Sequence, residues 1–428
     1  MLAPLPTARP TRVRLGILAL LAAGTMINYL DRTVLGMAAP ILTRELSIGP
    51  IALGWIFSAF SWSYVVSQLP GGLFLDRYGS RITYSLAVVF WSLFTMLHGL
   101  TGSAASLIAF RICLGVSEAP CFPTNIRVVG TWFPQRERAR ATAVYTVGEY
   151  VGLAFLSPLL FWIMRSFGWR ILFAVLGAVG MGFGFCWWIL YREPEESRAN
   201  EAERSLIRGS LAPQPILEEP PAFAWSSLRS LLKQRQVWGV CLGQFGGNST
   251  LVFFLTWFPT YLVTERHMGW IKLGTFAILP FMAASVGVLS GGWWSDWILR
   301  RTASATVARK LPVIAGLLLA SCMIMANYVS SDRAVILIMS AAFFGQGLVG
   351  LGFALVADIA PPRLTGLTSG LCNVAANAAG ILTPLIVGLI VAKTGSFAGA
   401  LAYIGAVALM GALAYLLILG EVKRIKLD

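Results

Sequence analysis

IAFRICLGVSEAPCFPTNIR, Ile108–Arg127, is apolar enough to lie in lipid, yet it carries Arg111 and Glu118 well inside and Arg127 near its far end. On a helix, Arg111 and Glu118 are seven residues apart, two turns or roughly 10 Å along one face, so both can look into the same interior space. A cation and an acid at membrane depth are costly, and such residues face a bundle interior or a water-filled cavity. A structural ion pair that only locks helices together is the plainer alternative to a functional pair. Pro120 and Pro123 follow at once, and each removes a backbone donor and bends or loosens the helix beside the acid.

Composition places the rest of the chain in the same solvent. Hydrophobic residues make up 57% and charged residues 12% of the 428 positions, with a mean hydropathy of +0.73. Apolar runs of about 20 residues, the length that crosses a hydrocarbon core, recur along the chain. They predict an all-α integral membrane protein of about twelve transmembrane helices, centred near Gly24, Tyr64, Trp91, Gly115, Gly152, Gly180, Leu251, Ala284, Leu318, Phe344, Ala379 and Val407.

The net charge of +14 is distributed as a topology signal. Arg9, Arg12 and Arg14 precede the first span, Arg77 and Arg81 sit between the second and third, and Arg136, Arg138 and Arg140 between the fourth and fifth. Arg300, Arg301, Arg309 and Lys310 lie between the eighth and ninth, and Lys423, Arg424 and Lys426 close the tail. Loops of the other parity are poorer in base, which predicts cytoplasmic termini by the positive-inside rule and argues against a nucleic-acid partner. The first apolar run reads as a membrane anchor and not as a cleaved signal. Six cysteines without CxxC spacing read as packing residues, and the isolated His98 and His267 leave metal chemistry almost nothing to work with.

One long, charged, proline-bearing connection, from about Tyr191 to Trp238, divides the chain. The expected organisation is an N-terminal six-helix bundle over 1–191, a cytoplasmic linker over 192–236 and a C-terminal six-helix bundle over 237–428. An internal echo supports the division: GGLFLDRYGSR at Gly71–Arg81 returns as GGWWSDWILRR at Gly291–Arg301, with Trp297 in place of Arg77. Repeat halves of this kind are the signature of alternating-access transporters.

With that architecture, the GGLFLDRYGSR loop resembles the major facilitator superfamily over the whole chain. INYLDRTVL at Ile27–Leu35, RICLGVSEAPCFP at Arg111–Pro123, GQFGGNSTLVFFLTWFPTYLV at Gly243–Val263 and GLCNVAANAAGILTP at Gly370–Pro384 resemble, together, its anion:cation symporter family. Within that family they look like the bacterial sugar-acid branch, which imports hexuronates, aldonates and aldarates with protons. The resemblance implies two pseudo-symmetric six-helix halves, no enzyme activity, no cofactor beyond the proton gradient, a monomer, and a place in the bacterial inner membrane. It also implies that the repeated loops, with Asp76, Arg77 and Arg81 in one half and Asp296 and Arg300 in the other, brace the cytoplasmic gate.

The residues divide the chemistry further. Asn28, Tyr29, Asp31 and Arg32 share the first span, and neighbours on a helix diverge by about 100°, so Asp31 and Arg32 take separate tasks. Arg32 suits the substrate carboxylate, which its planar fork can grip in two parallel hydrogen bonds. Asp31 is a proton-coupling or gating acid, or else pairs structurally with Arg111 or solvent. Tyr64 and Gln68, one turn apart, reach toward the same cavity, although packing is a rival reading for Gln68. Glu118 is the candidate proton carrier, competing with the substrate anion for positive charge, with Arg111 as the expected cationic neighbour. Glu149, in YTVGEYVG, stands where sugar-acid relatives typically have glutamine. It can be a further protonatable site, a receiver of substrate hydroxyls, a bar to dianions, or a quiet partner of Arg32.

The second half carries almost no charge in its spans before Asp358. It offers Gln244, Asn248, Ser249 and Thr250 on the seventh span and Asn373, Asn377 and Thr383 on the eleventh. Neutral donors and acceptors suit polyol hydroxyls, so Asn373 and Asn377, four apart on one face, are the preferred sugar-chain contacts, with Asn248 and Gln244 next. Some of these amides must simply bridge helices. Phe353 lines the site or packs. A membrane sensor lacks room for an output domain, and an intramembrane enzyme lacks a His, Cys or metal cluster beside the buried acids. Other carboxylates, aromatic or dicarboxylic, stay open as substrates.

Overall fold

The computed structural model describes residues 9–208, 225–269, 272, 276–302, 304–361 and 364–425. Ten of its helices are long and apolar enough to cross a membrane. The N-terminal half holds α1 (Val13–Glu45), α2 (Pro50–His98), α3 (Ala104–Glu118), α4 (Cys121–Trp132), α5 (Gln135–Phe167) and α6 (Trp169–Leu190). At 49 residues α2 runs roughly twice the length of one crossing. It turns at Gly79, whose φ of +75° an L side chain rarely adopts, and so makes two passes joined by the Asp76–Arg81 loop. α3 ends at Glu118, and α4 starts after Pro120, so the expected loosening beside the acid falls one residue beyond it.

Two short helices, α7 (Glu201–Arg208) and α8 (Trp225–Leu232), belong to the connection; its centre, 209–224, lies outside the described residues, as do Lys426 and the side chain of Phe353. The C-terminal half follows with α9 (Arg235–Thr256), α10 (Phe258–Thr264), α11 (Ile278–Thr302), α12 (Ala305–Ser321), α13 (Asp332–Val349), α14 (Gly352–Ile359), α15 (Thr365–Thr394) and α16 (Ala398–Leu413). α9 supplies a crossing despite its Gln, Asn, Ser and Thr, which dilute its hydropathy; with it and the double pass of α2, the twelve expected crossings are all helical.

Where the halves meet decides the shape of the site. On the face opposite both chain ends one apolar core runs through both halves, from Val34, Leu35 and Phe57 to Phe254, Trp257 and Phe343. Glycines allow the approach: a Cβ at Gly54 would lie 2.7 Å from the Pro384 carbonyl oxygen, and one at Gly36 would lie 2.8 Å from that of Thr256. Toward the chain ends the core splits in two, one part around Tyr84, Trp132 and Trp187 and the other around Leu317, Leu355 and Tyr415. On the side that carries the chain ends the two halves therefore keep separate cores.

Candidate functional site between the two halves

The centre of the N-terminal half is an ion pair between α1 and the end of α3. Both Nε and Nη2 of Arg32 meet Oε1 of Glu118, which has no solvent exposure. Four rings surround the guanidinium: Phe60 and Tyr64 at 4.9 Å, Tyr29 at 5.1 Å and Phe122 at 5.9 Å from their centroids. Each such contact stabilises a cation by about 0.5–2 kcal/mol, more as water is excluded. The rings fix Arg32 while leaving its side chain 16% exposed.

Arg111, the expected cationic neighbour of Glu118, lies near enough to act on its charge, but the ion pair itself is made by Arg32. Two helical turns place both on one face but too far apart along the axis to touch, whereas Arg32 reaches across from another helix. Arg111 is 3% exposed, lies 5.1 Å from the Phe60 ring, and has an Nε without a hydrogen-bond partner. No ion pair engages it among the described residues. The other oxygen of Glu118 faces the side-chain amide of Asn28, which has no other hydrogen-bond partner among the described residues.

Asp31 is 2% exposed and neither of its oxygens has a hydrogen-bond partner; it faces Trp91 and Thr95 and pairs with no arginine. Glu149, on α5, is 4% exposed, faces the Tyr29 hydroxyl, and has Arg32 as its nearby cation. Because Arg32 is engaged by Glu118, the quiet Arg32–Glu149 pair is not formed. The next residue, Tyr150, crosses to the other half and donates its hydroxyl to Gln346 Oε1 at 3.3 Å.

The amides reach the site from α15. Asn377 donates to Oδ1 of Asn373 at 2.7 Å, and Asn373 donates to Gln68 Oε1 at 3.5 Å, with Tyr64 next to Gln68. This string joins the sugar-chain candidates of one half to the aromatic cage of the other. Asn248 is half-buried, with its amide turned back onto the Gln244 carbonyl oxygen at 3.0 Å. Gln244 is placed elsewhere than expected: it is 1% exposed, wedged against Gly352 and Tyr415 inside the C-terminal core. Gly243 and Gly411 let α9 and α16 pack closely there, and that packing turns Gln244 away from the cleft.

Away from the centre, Arg127 donates to the Leu75 carbonyl oxygen at 2.9 Å and sits 3.7 Å from Asp76, while Arg81 donates to the Trp188 carbonyl oxygen at 2.9 Å. Arg77 lies over the Tyr78 ring. The echoed Asp296 and Arg300 are exposed and form no ion pair among the described residues; the ion pair on that side is Arg309, bonded to Asp358 at 3.1 Å and to Ser295 at 3.3 Å. Phe60, Phe122, Asn28, Tyr150 and Gln346 carry site geometry to which the sequence reading gave no role. Phe60, one turn before Tyr64, was findable by spacing; Gln346, on a different half, was not.

A family profile described as Major Facilitator Superfamily matches residues 21–326. The chain is 43% identical over 427 residues to a D-galactonate transporter of Escherichia coli, covering 99% of each. It is 42% identical to a probable galactarate/D-glucarate transporter of Bacillus subtilis, covering 99% of this chain and 95% of that one. Among solved structures, a D-xylose-proton symporter superposes with a TM-score of 0.75 at 15% identity, covering 96% of this chain and 98% of its own, which is a likeness of fold.

Proposed function

The chain belongs to the Major Facilitator Superfamily, and on that premise we propose that it is a sugar-acid transporter which imports its substrate with protons by alternating access. The carrying observation is the caged Arg32–Glu118 pair with the unpaired Arg111 close by. The names of the relatives, transporters of galactonate and of galactarate and glucarate, support the sugar-acid class.

In this reading the substrate carboxylate takes positive charge from Arg111 and then Arg32, and Glu118 leaves Arg32 as it gains a proton. With Asp31 protonated and Glu149 ionised, neutral Glu118 and a bound anion together leave the two arginines balanced; either alone leaves a buried charge uncompensated, at a cost of about 3–5 kcal/mol. That mutual requirement is the coupling, and Asp31, ionisable and unpaired, is the second proton site. Tyr29, Tyr64, Gln68 and Glu149 contact the substrate from the N-terminal half, and Asn373, Asn377 and Asn248 bond its hydroxyls from the other. The 1–191 and 237–428 bundles rock about the cleft, linked by 192–236. Asp76, Arg77 and Arg81, with the Asp296–Arg300 loop, govern its cytoplasmic closure. The protein sits as a monomer in a bacterial inner membrane, both termini cytoplasmic, and needs no cofactor but the proton gradient. The structure is then open to the cytoplasm.

The test is uptake of labelled D-galactonate, galactarate and D-glucuronate into proteoliposomes with an imposed pH gradient, acid outside. Accumulation that collapses with a protonophore is expected. Uptake indifferent to the gradient would refute proton coupling, and accumulation of benzoate in place of all three would shift the substrate to aromatic acids, which the four rings around Arg32 also suit.

A further inference from the structure

The buried charges of the cleft do not balance, and the surplus falls at Glu149. The N-terminal half supplies two cations, Arg32 and Arg111, against three acids, Asp31, Glu118 and Glu149. With Glu118 and Asp31 protonated as the coupling requires, Glu118 leaves Arg32, and Arg32 and Arg111 face Glu149 and the incoming substrate. One substrate carboxylate, together with Glu149, balances the two. A second carboxylate on the same substrate would find no further cation in this half and would add a negative charge beside Glu149.

We propose that Glu149 makes the cleft select hydroxylated monocarboxylates over dicarboxylates. This deepens the sugar-acid reading of the same site and rests on it. Ionised, Glu149 accepts hydrogen bonds and donates none, so it is matched by a substrate group that donates. A terminal hydroxyl does so; a terminal carboxylate cannot, and adds like-charge repulsion in a desolvated place. Discrimination thus comes from a repulsive element as well as an attractive one. Tyr29, whose hydroxyl faces Glu149, holds the carboxyl toward the cleft from α1. Tyr150, the next residue on α5, is tied to Gln346 of the other half, so Glu149 stands where the substrate passes between the halves.

D-galactonate and galactarate form a matched pair, alike in their hydroxyl stereochemistry and differing at C6, where one carries CH2OH and the other a carboxylate. Competition of each against labelled galactonate uptake is measured for the wild type, Glu149→Gln and Glu149→Asp at one pH, with thermal unfolding of each purified protein as the control on folding. The wild type is expected to favour galactonate by at least about tenfold, roughly 1.4 kcal/mol. Glu149→Gln should narrow that ratio about tenfold, and Glu149→Asp, which keeps the charge, should preserve most of it. Equal competition by the two acids in the wild type would overturn the inference, as would an unchanged ratio in Glu149→Gln. If galactarate competes better than galactonate itself, the sugar-acid reading survives and the inference fails; if galactonate is not taken up and neither acid raises the unfolding temperature, both fail.

Discussion

In the N-terminal half, Asp31, Arg111, Glu118 and Glu149 lie inside the bundle with at most 4% exposure, whereas the buried polar side chains of the C-terminal half, from Gln244 to Thr383, are uncharged among the described residues. The two halves share a fold and an echoed loop, yet one stores charge and the other stores amides and hydroxyls. Under the proposed function the contrast separates two tasks. Anion and proton can contend for the same arginines within one bundle, while the other bundle moves and offers neutral hydrogen bonds. The polar ties between them fit this: Ser58 to the Ile381 carbonyl oxygen at 2.9 Å, Tyr150 to Gln346 at 3.3 Å and Asn373 to Gln68 at 3.5 Å are all neutral. A neutral hydrogen bond stabilises by about 0.5–1.5 kcal/mol net, so such ties are easily exchanged when the bundles rock.

The sharpest way to break the contrast is to neutralise its centre. Glu118→Gln keeps the shape of the side chain and removes the ionisable group that meets Arg32. Accumulation of galactonate against its gradient should be lost, while exchange of labelled for unlabelled substrate across the membrane, which needs no net proton movement, should persist. Undiminished gradient-driven uptake by this variant would end the assignment of the proton to Glu118.

Arg111→Lys comes next. It keeps the charge but loses the planar fork, and a lysine cannot reproduce two parallel bonds to a carboxylate. Substrate affinity should fall about 10- to 100-fold, or about 1.4–2.7 kcal/mol, in a tryptophan-fluorescence titration. A change under twofold would mean that the unpaired guanidinium does not receive the anion, and that Arg32 does so alone.

On the neutral side the expected effect is smaller. Asn377→Leu removes one amide from the Asn377–Asn373–Gln68 string. It should weaken galactonate binding about fivefold, one net hydrogen bond of about 1 kcal/mol, without altering the number of protons moved per substrate. A changed proton count would show that the division of labour between the halves is false.

How much of this was legible in the chain follows from which physics is local. The crossings were readable because lipid thickness sets a run length, and the candidates Arg32, Arg111, Glu118 and Glu149 because ionisable residues in such runs are rare. The pairing was not readable. Arg32 meets Glu118 because of the relative rotation of α1 and α3, and spacing within one helix pointed instead to Arg111. Gln244 looked like a cleft residue for the same reason as Asn377, a polar side chain in an apolar helix. Its side chain is turned inward by Gly352 and Tyr415, more than a hundred residues away. The Asp296–Arg300 repeat likewise matched Asp76–Arg81 in letters, while the ion pair on that side fell to Arg309 and Asp358.

A second contrast, between the fused core on one face and the split core on the other, yields the mildest test. Gly54 and Pro384 touch where the halves close opposite the chain ends, and a methyl at Gly54 would press on backbone 2.7 Å away, which cannot rotate aside. Overpacking of this kind costs about 1–3 kcal/mol, and it is felt only while that face is closed. Gly54→Ala should therefore favour conformers closed at the chain ends, and slow transport only two- to threefold if rocking is not the slow step. Spin labels at Tyr78 and Trp297, both exposed near the chain-end face, report the shift as a move of the distance distribution to shorter values. A distribution identical to that of the parent would mean that the α2–α15 contact does not set the balance between the two open forms, and that the apolar core around Phe57, Trp257 and Phe343 carries it.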